Sequence, residues 1–158
     1  MASTSQDFTS GQVLTAAELD QLPQGVLATA STTSNLGPLL AGTETTLLTL
    51  AAVTPAQTAR RFRLVFHCRG VSGDAVNDVF IIRFKEGATT LNETHFSPRV
   101  GSSTVTQGLD FSHRIDSPSV ASHTYSVAVI KSSGTGNITL TGTATAPTFL
   151  ELEDVGSA

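Results

Sequence analysis

The sequence predicts an all-β chain, an antiparallel β-sandwich of jelly-roll type with a short N-terminal arm and helix. Three observations lead there. From Gly25 onward apolar and polar residues alternate with a period of two, in short runs. Turn signals of Gly, Pro, Ser and Asp recur between those runs. Thr, Val and Ile suit a pleated surface, and only 14% of the residues are charged. At 158 residues the chain reads as one domain. Residues 1–24 form the arm and residues 25–158 the sandwich.

Within the arm, Met1 to Gly11 is polar, with Phe8 as its large anchor. Thr15-Ala16-Ala17-Glu18 reads as a capping box, with Leu14 and Leu19 placed for a hydrophobic staple. Pro23 and Gly25 end that helix after about two turns, too short to be stable without docking. The first strand is Val26 to Thr33. Thr45 to Val53 follows, apolar enough to predict a central strand, and Pro55 breaks it. Arg61 to Arg69 alternates most clearly: Phe62, Leu64, Phe66 and Cys68 face the core, and Arg61, Arg63, His67 and Arg69 face away.

Gly70 and Ser72-Gly73-Asp74 turn the chain into Val76 to Lys85, with Phe80, Ile82 and Phe84 inward. Glu86-Gly87 makes a hairpin turn into Ala88 to Phe96. Pro98 to Gly108 reads as a loop, Leu109 to Ile115 as a short strand, and Asp116-Ser117-Pro118-Ser119 as a turn. His123 to Lys131 is a strand, Ser132 to Asn137 its loop, and Ile138 to Ala144 the next strand. Phe149 to Val155 closes the sheet. About eight strands at short spacing are what a sandwich with Greek-key connections needs.

A formal charge of −4 gives no basic stripe of the kind nucleic acid requires. No apolar run approaches the roughly eighteen residues of a membrane span. The opening residues lack the basic-then-apolar order of a signal peptide. Mean hydropathy of +0.10 leaves enough apolar residues to order the chain. The lone Cys68 has no partner for an intramolecular disulfide and reads as an inert thiol on an apolar face.

Chemistry is sparse. His67, His95, His113 and His123 are scattered without metal-ligand spacing, and no metal or cofactor is expected. Asp74, Asp78 and Glu86 flank one strand and Asp110 and Asp116 another, and these are the carboxylates a glycosidase reading would weigh, at about 5–10 Å across a cleft. One Tyr and no Trp argue against a sugar-lined cleft. No phosphate-binding or nucleophile-elbow motif is present. The polar feature with most content is the outward face of the Arg61 strand. Arg60, Arg61, Arg63, His67 and Arg69 collect there, with Arg83 and Lys85 expected alongside and Glu151 and Glu153 as acidic counterparts. It reads as either a solvated face or a subunit contact, where arginine is enriched.

Two stretches resemble a known group. The closing Phe149-Leu150-Glu151-Leu152-Glu153-Asp154-Val155-Gly156, after a Thr-rich strand, resembles the C-terminus of short bacteriophage virion proteins of the minor tail or capsid-decoration type. Phe8 to Val26, FTSGQVLTAAELDQLPQGV, is similar to the opening of short structural proteins from phages of actinobacteria. Together they cover the first quarter and the last eighth of the chain. The resemblance implies a non-enzymatic virion protein, made in the host cytoplasm and assembling as a homotrimer with major capsid or tail proteins. Its candidate assembly contacts are Phe8, Leu14, Leu19 and Leu22 in the arm and Arg61, Arg63 and Arg69 on the head. The competing expectation is a receptor-binding knob whose loops, Gly101–Gly108 and Ser132–Asn137, touch host glycans.

Overall fold

In the computed structural model, residues 22–39, 42–73, 78–97, 107–134 and 136–157 are described. Their strands are β1 (Gly25–Thr32), β2 (Leu36–Leu39), β3 (Thr45–Thr49), β4 (Arg60–Gly73) and β5 (Val79–Glu86). There follow β6 (Thr89–Phe96), β7 (Gln107–Asp116), β8 (Tyr125–Ser133), β9 (Ile138–Thr141) and β10 (Thr148–Ser157). All pairings are antiparallel, in two sheets, and no helix occurs among the described residues. The predicted helix falls on residues outside those described, apart from Leu22.

The first sheet is built on β4, whose fourteen residues serve two strands along one edge. Its first half pairs β10 (Phe66 opposite Leu150), and its last residues pair β9 (Val71 opposite Leu140). On its other edge β4 pairs β7 along most of its length. β1 lies outside β10 and β2 outside β9. Thus β1 with β2, and β9 with β10, behave as two long strands interrupted at the same level. The interruption is tight: a Cβ on Gly142 would lie 2.8 Å from the Thr32 carbonyl oxygen and 2.9 Å from that of Ser34. Any larger residue there would force the two interruptions apart.

The second sheet has the order β3-β8-β5-β6. Thr45–Thr49 is therefore an edge strand, not the central one its apolar run suggested. Thr45, Thr46 and Thr49 are exposed, and a register shift between Thr46 and Leu48 interrupts its pairing with β8. The four-residue β2 has no counterpart among the strands expected from the sequence; Leu-Gly-Pro-Leu carries turn residues, and β9 supplies the pairing.

One apolar cluster joins the sheets. Phe62, Leu64 and Phe66 of β4 and Leu150 and Leu152 of β10 meet Phe80, Ile82 and Phe84 of β5 and Val127 and Val129 of β8. Phe84 stacks on Phe111 of β7 with ring centroids 4.5 Å apart, linking one sheet to the other. Each such buried side chain contributes about 1.5–3 kcal/mol. Cys68 is fully buried among them, as its apolar face implied.

The sandwich has two ends. The lower end gathers Leu22, the start of β4, the ends of β5, β7 and β10, and the loop before β8. The upper end gathers the end of β4, the start of β5 and the β8–β9 connection.

Candidate assembly surface

The outer face of the first sheet carries the sequence-predicted head contacts. β4 supplies Arg61, Arg63, Val65, His67 and Arg69; β10 supplies Phe149, Glu151, Glu153 and Val155. The register sets rows across the face: Val26, Glu153, Arg63 and Arg114 in one, and Phe149, His67 and Asp110 in another. Arg63 bonds Glu153 through Nε at 2.6 Å, and Arg61 bonds Asp116 at 2.9 Å. Arg114 reaches the same Asp116 at 3.0 Å, and these guanidiniums hold its carboxyl below the usual range, Arg61 most. His67 bonds Asp110 at 2.7 Å and stacks on Phe149, while Arg69 reaches Thr143 at the upper end.

The expected pairing of arginines with acidic neighbours is thus made within the chain, by Glu153, Asp116 and Asp110. Exposed pairs of this kind add little stability. They leave an open depression of about 370 Å³ over Val65, bounded by Arg63 and Glu153 at one end and Phe149 and Asp110 at the other.

Three sequence expectations for this face need correction. Arg60 is not on it. It has the same parity as Phe62, points inward, and is 1% exposed. Its Nε and Nη2 donate to Asp154 Oδ2 at 2.9 and 2.5 Å, and Nη2 also donates to the Leu22 carbonyl at 2.8 Å. Asp154 Oδ1 accepts from the Gly156 amide at 2.8 Å. Arg83 and Lys85 are not beside the β4 arginines either. They lie on the outer face of the other sheet, where both bond Glu44, and Arg83 also bonds Glu93 at 3.0 Å. Among the described residues no arginine pairs with Glu151; its contact is Thr29 at 3.5 Å. Of the arm residues, Leu22 is half-buried and held by Arg60, whereas Phe8, Leu14 and Leu19 lie outside the described residues.

One constellation escaped the sequence altogether. Ser119 Oγ sits 3.2 Å from His123 Nε2, and His123 Nδ1 sits 2.5 Å from Glu86 Oε1, the outline of a Ser-His-Glu triad. Its chemistry differs. Nε2 is closer still, 2.9 Å, to the Ser119 carbonyl oxygen, so it carries a proton and donates there. Nδ1 donates to Glu86, whose hydrogen bond is the main cause that raises the His123 pKa. A ring protonated at both nitrogens cannot take a proton from Ser119. The group clamps the 117–122 loop onto the end of β5. Tyr125 stacks against the same ring, and burial pushes its hydroxyl pKa up to about 12.

Among the described residues, the aspartates weighed for hydrolysis do not converge. Asp110 and Asp116 are six residues apart on one strand face, about 20 Å. Asp78 is fully buried at the upper end, and Asp74 lies outside the described residues. No group of three His, Cys, Asp or Glu side chains able to hold a metal occurs among the described residues. No family model and no curated protein matches the chain.

Proposed function

We propose that this chain is a non-enzymatic bacteriophage virion structural protein, of the capsid-decoration or minor tail type, assembling through its N-terminal arm and a self-associating head. The observation that carries the proposal is the bonding of Arg60. Its guanidinium joins the Leu22 carbonyl, in the opening stretch that resembles phage structural proteins, to Asp154, in the closing stretch that does. The described end of the opening stretch, at Leu22, is thereby tied to the closing stretch. That tie gives the arm a fixed point of departure from the head.

The strand pairing supports the jelly-roll reading. Counting β1–β2 and β9–β10 as single strands leaves eight, and their neighbours pair first with eighth, second with seventh, third with sixth and fourth with fifth. This is the order made by rolling up one long antiparallel hairpin of four strand pairs. Sandwiches of this kind assemble by packing copies together, and three copies is the number the resemblance implies. The head would sit on the virion against major capsid or tail proteins.

A cut before Leu22 tests the proposal, because it keeps the Arg60 bond and removes only the arm. The expected result is a folded, soluble head that no longer incorporates into particles. A truncated chain that fails to fold would mean the arm is part of the core, and the anchoring role would be wrong.

The depression over Val65 favours a second reading, a receptor-binding knob. Phe149 offers an aromatic edge beside Asp110, Glu151 and Arg63, groups that can hydrogen-bond sugar hydroxyls. Binding on a glycan array that disappears with Phe149→Ala would select it.

A further inference from the structure

Three large apolar residues are exposed among those described: Val26 at 55%, Val120 at 52% and Val155 at 37%. All three are at the lower end. Val26 and Val155 share the outer face of the first sheet with Glu153, and Val120 lies in the loop that follows β7. Beside them the register sets Arg63 directly opposite Arg114 on neighbouring strands, an arrangement of like charges that is unfavourable by itself. Among the described residues these two guanidiniums and Arg61 form ion pairs with Glu153 and Asp116 alone. Arg63 and Arg114 are also the most exposed of the paired arginines, at 53% and 63%. The lower end of this face is therefore an apolar corner edged by three arginines against two carboxylates, with Glu151 the next outward side chain along β10.

The segment before Leu22 has the opposite character. It contains Asp7, Glu18 and Asp20 and no lysine or arginine, together with Phe8, Leu14 and Leu19. Every basic residue of the chain lies in the head. From these facts we infer that the lower outer face, Val26 and Val155 with Arg61, Arg63 and Arg114, docks the acidic N-terminal segment of a second copy. This inference rests on the assembly reading and names its contact.

The choice of a second copy follows from where the segment starts. Arg60, the residue that holds the Leu22 carbonyl, points to the core side of β4, so Leu22, to which the segment is joined, is held on the side away from the outer face. Twenty-one residues span up to about 70 Å if extended and about 30 Å if helical, ample reach for a neighbouring head. Charge complementarity fixes the register of such a contact, and the valines supply apolar area to bury.

Charge reversal with rescue tests this, read as solution mass over a concentration series of the full chain. Arg63→Glu with Arg114→Glu touches exposed side chains, so folding is checked by circular dichroism and expected to hold. The variant should raise the dissociation constant of the oligomer on the order of a hundredfold. Asp7→Lys, Glu18→Lys and Asp20→Lys together should do the same, and combining both sets should restore assembly. A folded Arg63→Glu, Arg114→Glu variant with unchanged mass, or a combined variant that stays dissociated, overturns the docking surface. If that happens while removal of residues 1–21 still dissociates the oligomer, only this surface is wrong. If removal of residues 1–21 leaves the mass unchanged, the arm-mediated assembly falls with it.

Discussion

At the lower end of the sandwich Arg60 meets Asp154 at 2.5 Å, whereas at the upper end Lys131 stops 3.8 Å short of Asp78. All four side chains are buried. The lower pair is fully engaged, with the Leu22 carbonyl and the Gly156 amide taking up further hydrogen-bonding capacity. The upper pair is loose. Asp78 Oδ1 accepts from the Gly136 amide at 3.2 Å, and Oδ2 has no hydrogen-bond partner among the described residues. Gly134 allows even this arrangement only by lacking a Cβ, which would fall 1.9 Å from Asp78 Oδ1 at a φ of +98°. Burying two charges costs several kcal/mol per ion, and only good geometry and extra hydrogen bonds offset it. The lower end meets that condition and the upper end does not, so the better-compensated buried pair is the one that joins Leu22 to the C-terminal strand.

The largest effect should come from breaking the tight pair. Asp154→Ala removes the carboxylate that accepts both the Nε and the Nη2 bond of the buried Arg60, and is expected to lose about 3–5 kcal/mol in denaturant unfolding. Replacing both partners separates the two ends more sharply. Lys131→Met with Asp78→Asn keeps the Gly136 acceptor and removes two poorly paired charges, so its stability should stay within about 1 kcal/mol of wild type. Arg60→Met with Asp154→Asn gives up the hold on Leu22 and should cost at least about 2 kcal/mol. Equal costs for the two double variants would erase the contrast.

Smaller and pH-dependent effects come from two histidines with opposite shifts. His123 is raised by Glu86, so its folded form favours the proton. Its contribution is complete below an unfolded pKa of 6.5 and is lost as pH rises through the higher folded value. His113 is lowered by burial, so the folded chain loses stability as pH falls from 6.5 through its folded pKa. The penalty for His123→Gln should therefore shrink with rising pH, while that for His113→Gln should shrink with falling pH. Parallel pH profiles in paired melts would contradict the clamp at Glu86. Least of all, Arg63→Ala on the open face should change stability by no more than about 0.5 kcal/mol.

Much of this contrast was within reach of the sequence, and some was not. Period-two alternation located β4, β5 and β8 because large apolar residues recur at every second position in each: Phe62, Leu64 and Phe66; Phe80, Ile82 and Phe84; Tyr125, Val127 and Val129. The same alternation gives Arg60 the parity of Phe62, Asp154 that of Leu152, and His123 that of Tyr125. Those were signals for buried polar residues, but charge suggested solvent. What alternation cannot supply is register between distant strands. The bonding of residue 60 to 154, and of 86 to 123, depends on which strands become neighbours across ninety-four and thirty-seven residues of chain. The depression over Val65 has the same origin, since its lining comes from β4, β7 and β10. β2 was illegible for a different reason: Gly37 and Pro38 carry turn chemistry, and only β9 makes that stretch a strand.

Sedimentation of the full chain beside residues 22–158, at micromolar concentration and with a melt of each, tests the central claim that assembly runs through the arm. The account expects the full chain to form a trimer or larger closed oligomer, and the shorter chain to stay folded but fall to a lower mass. A full chain that is monomeric throughout, or a shorter chain that keeps the same oligomer, would contradict it.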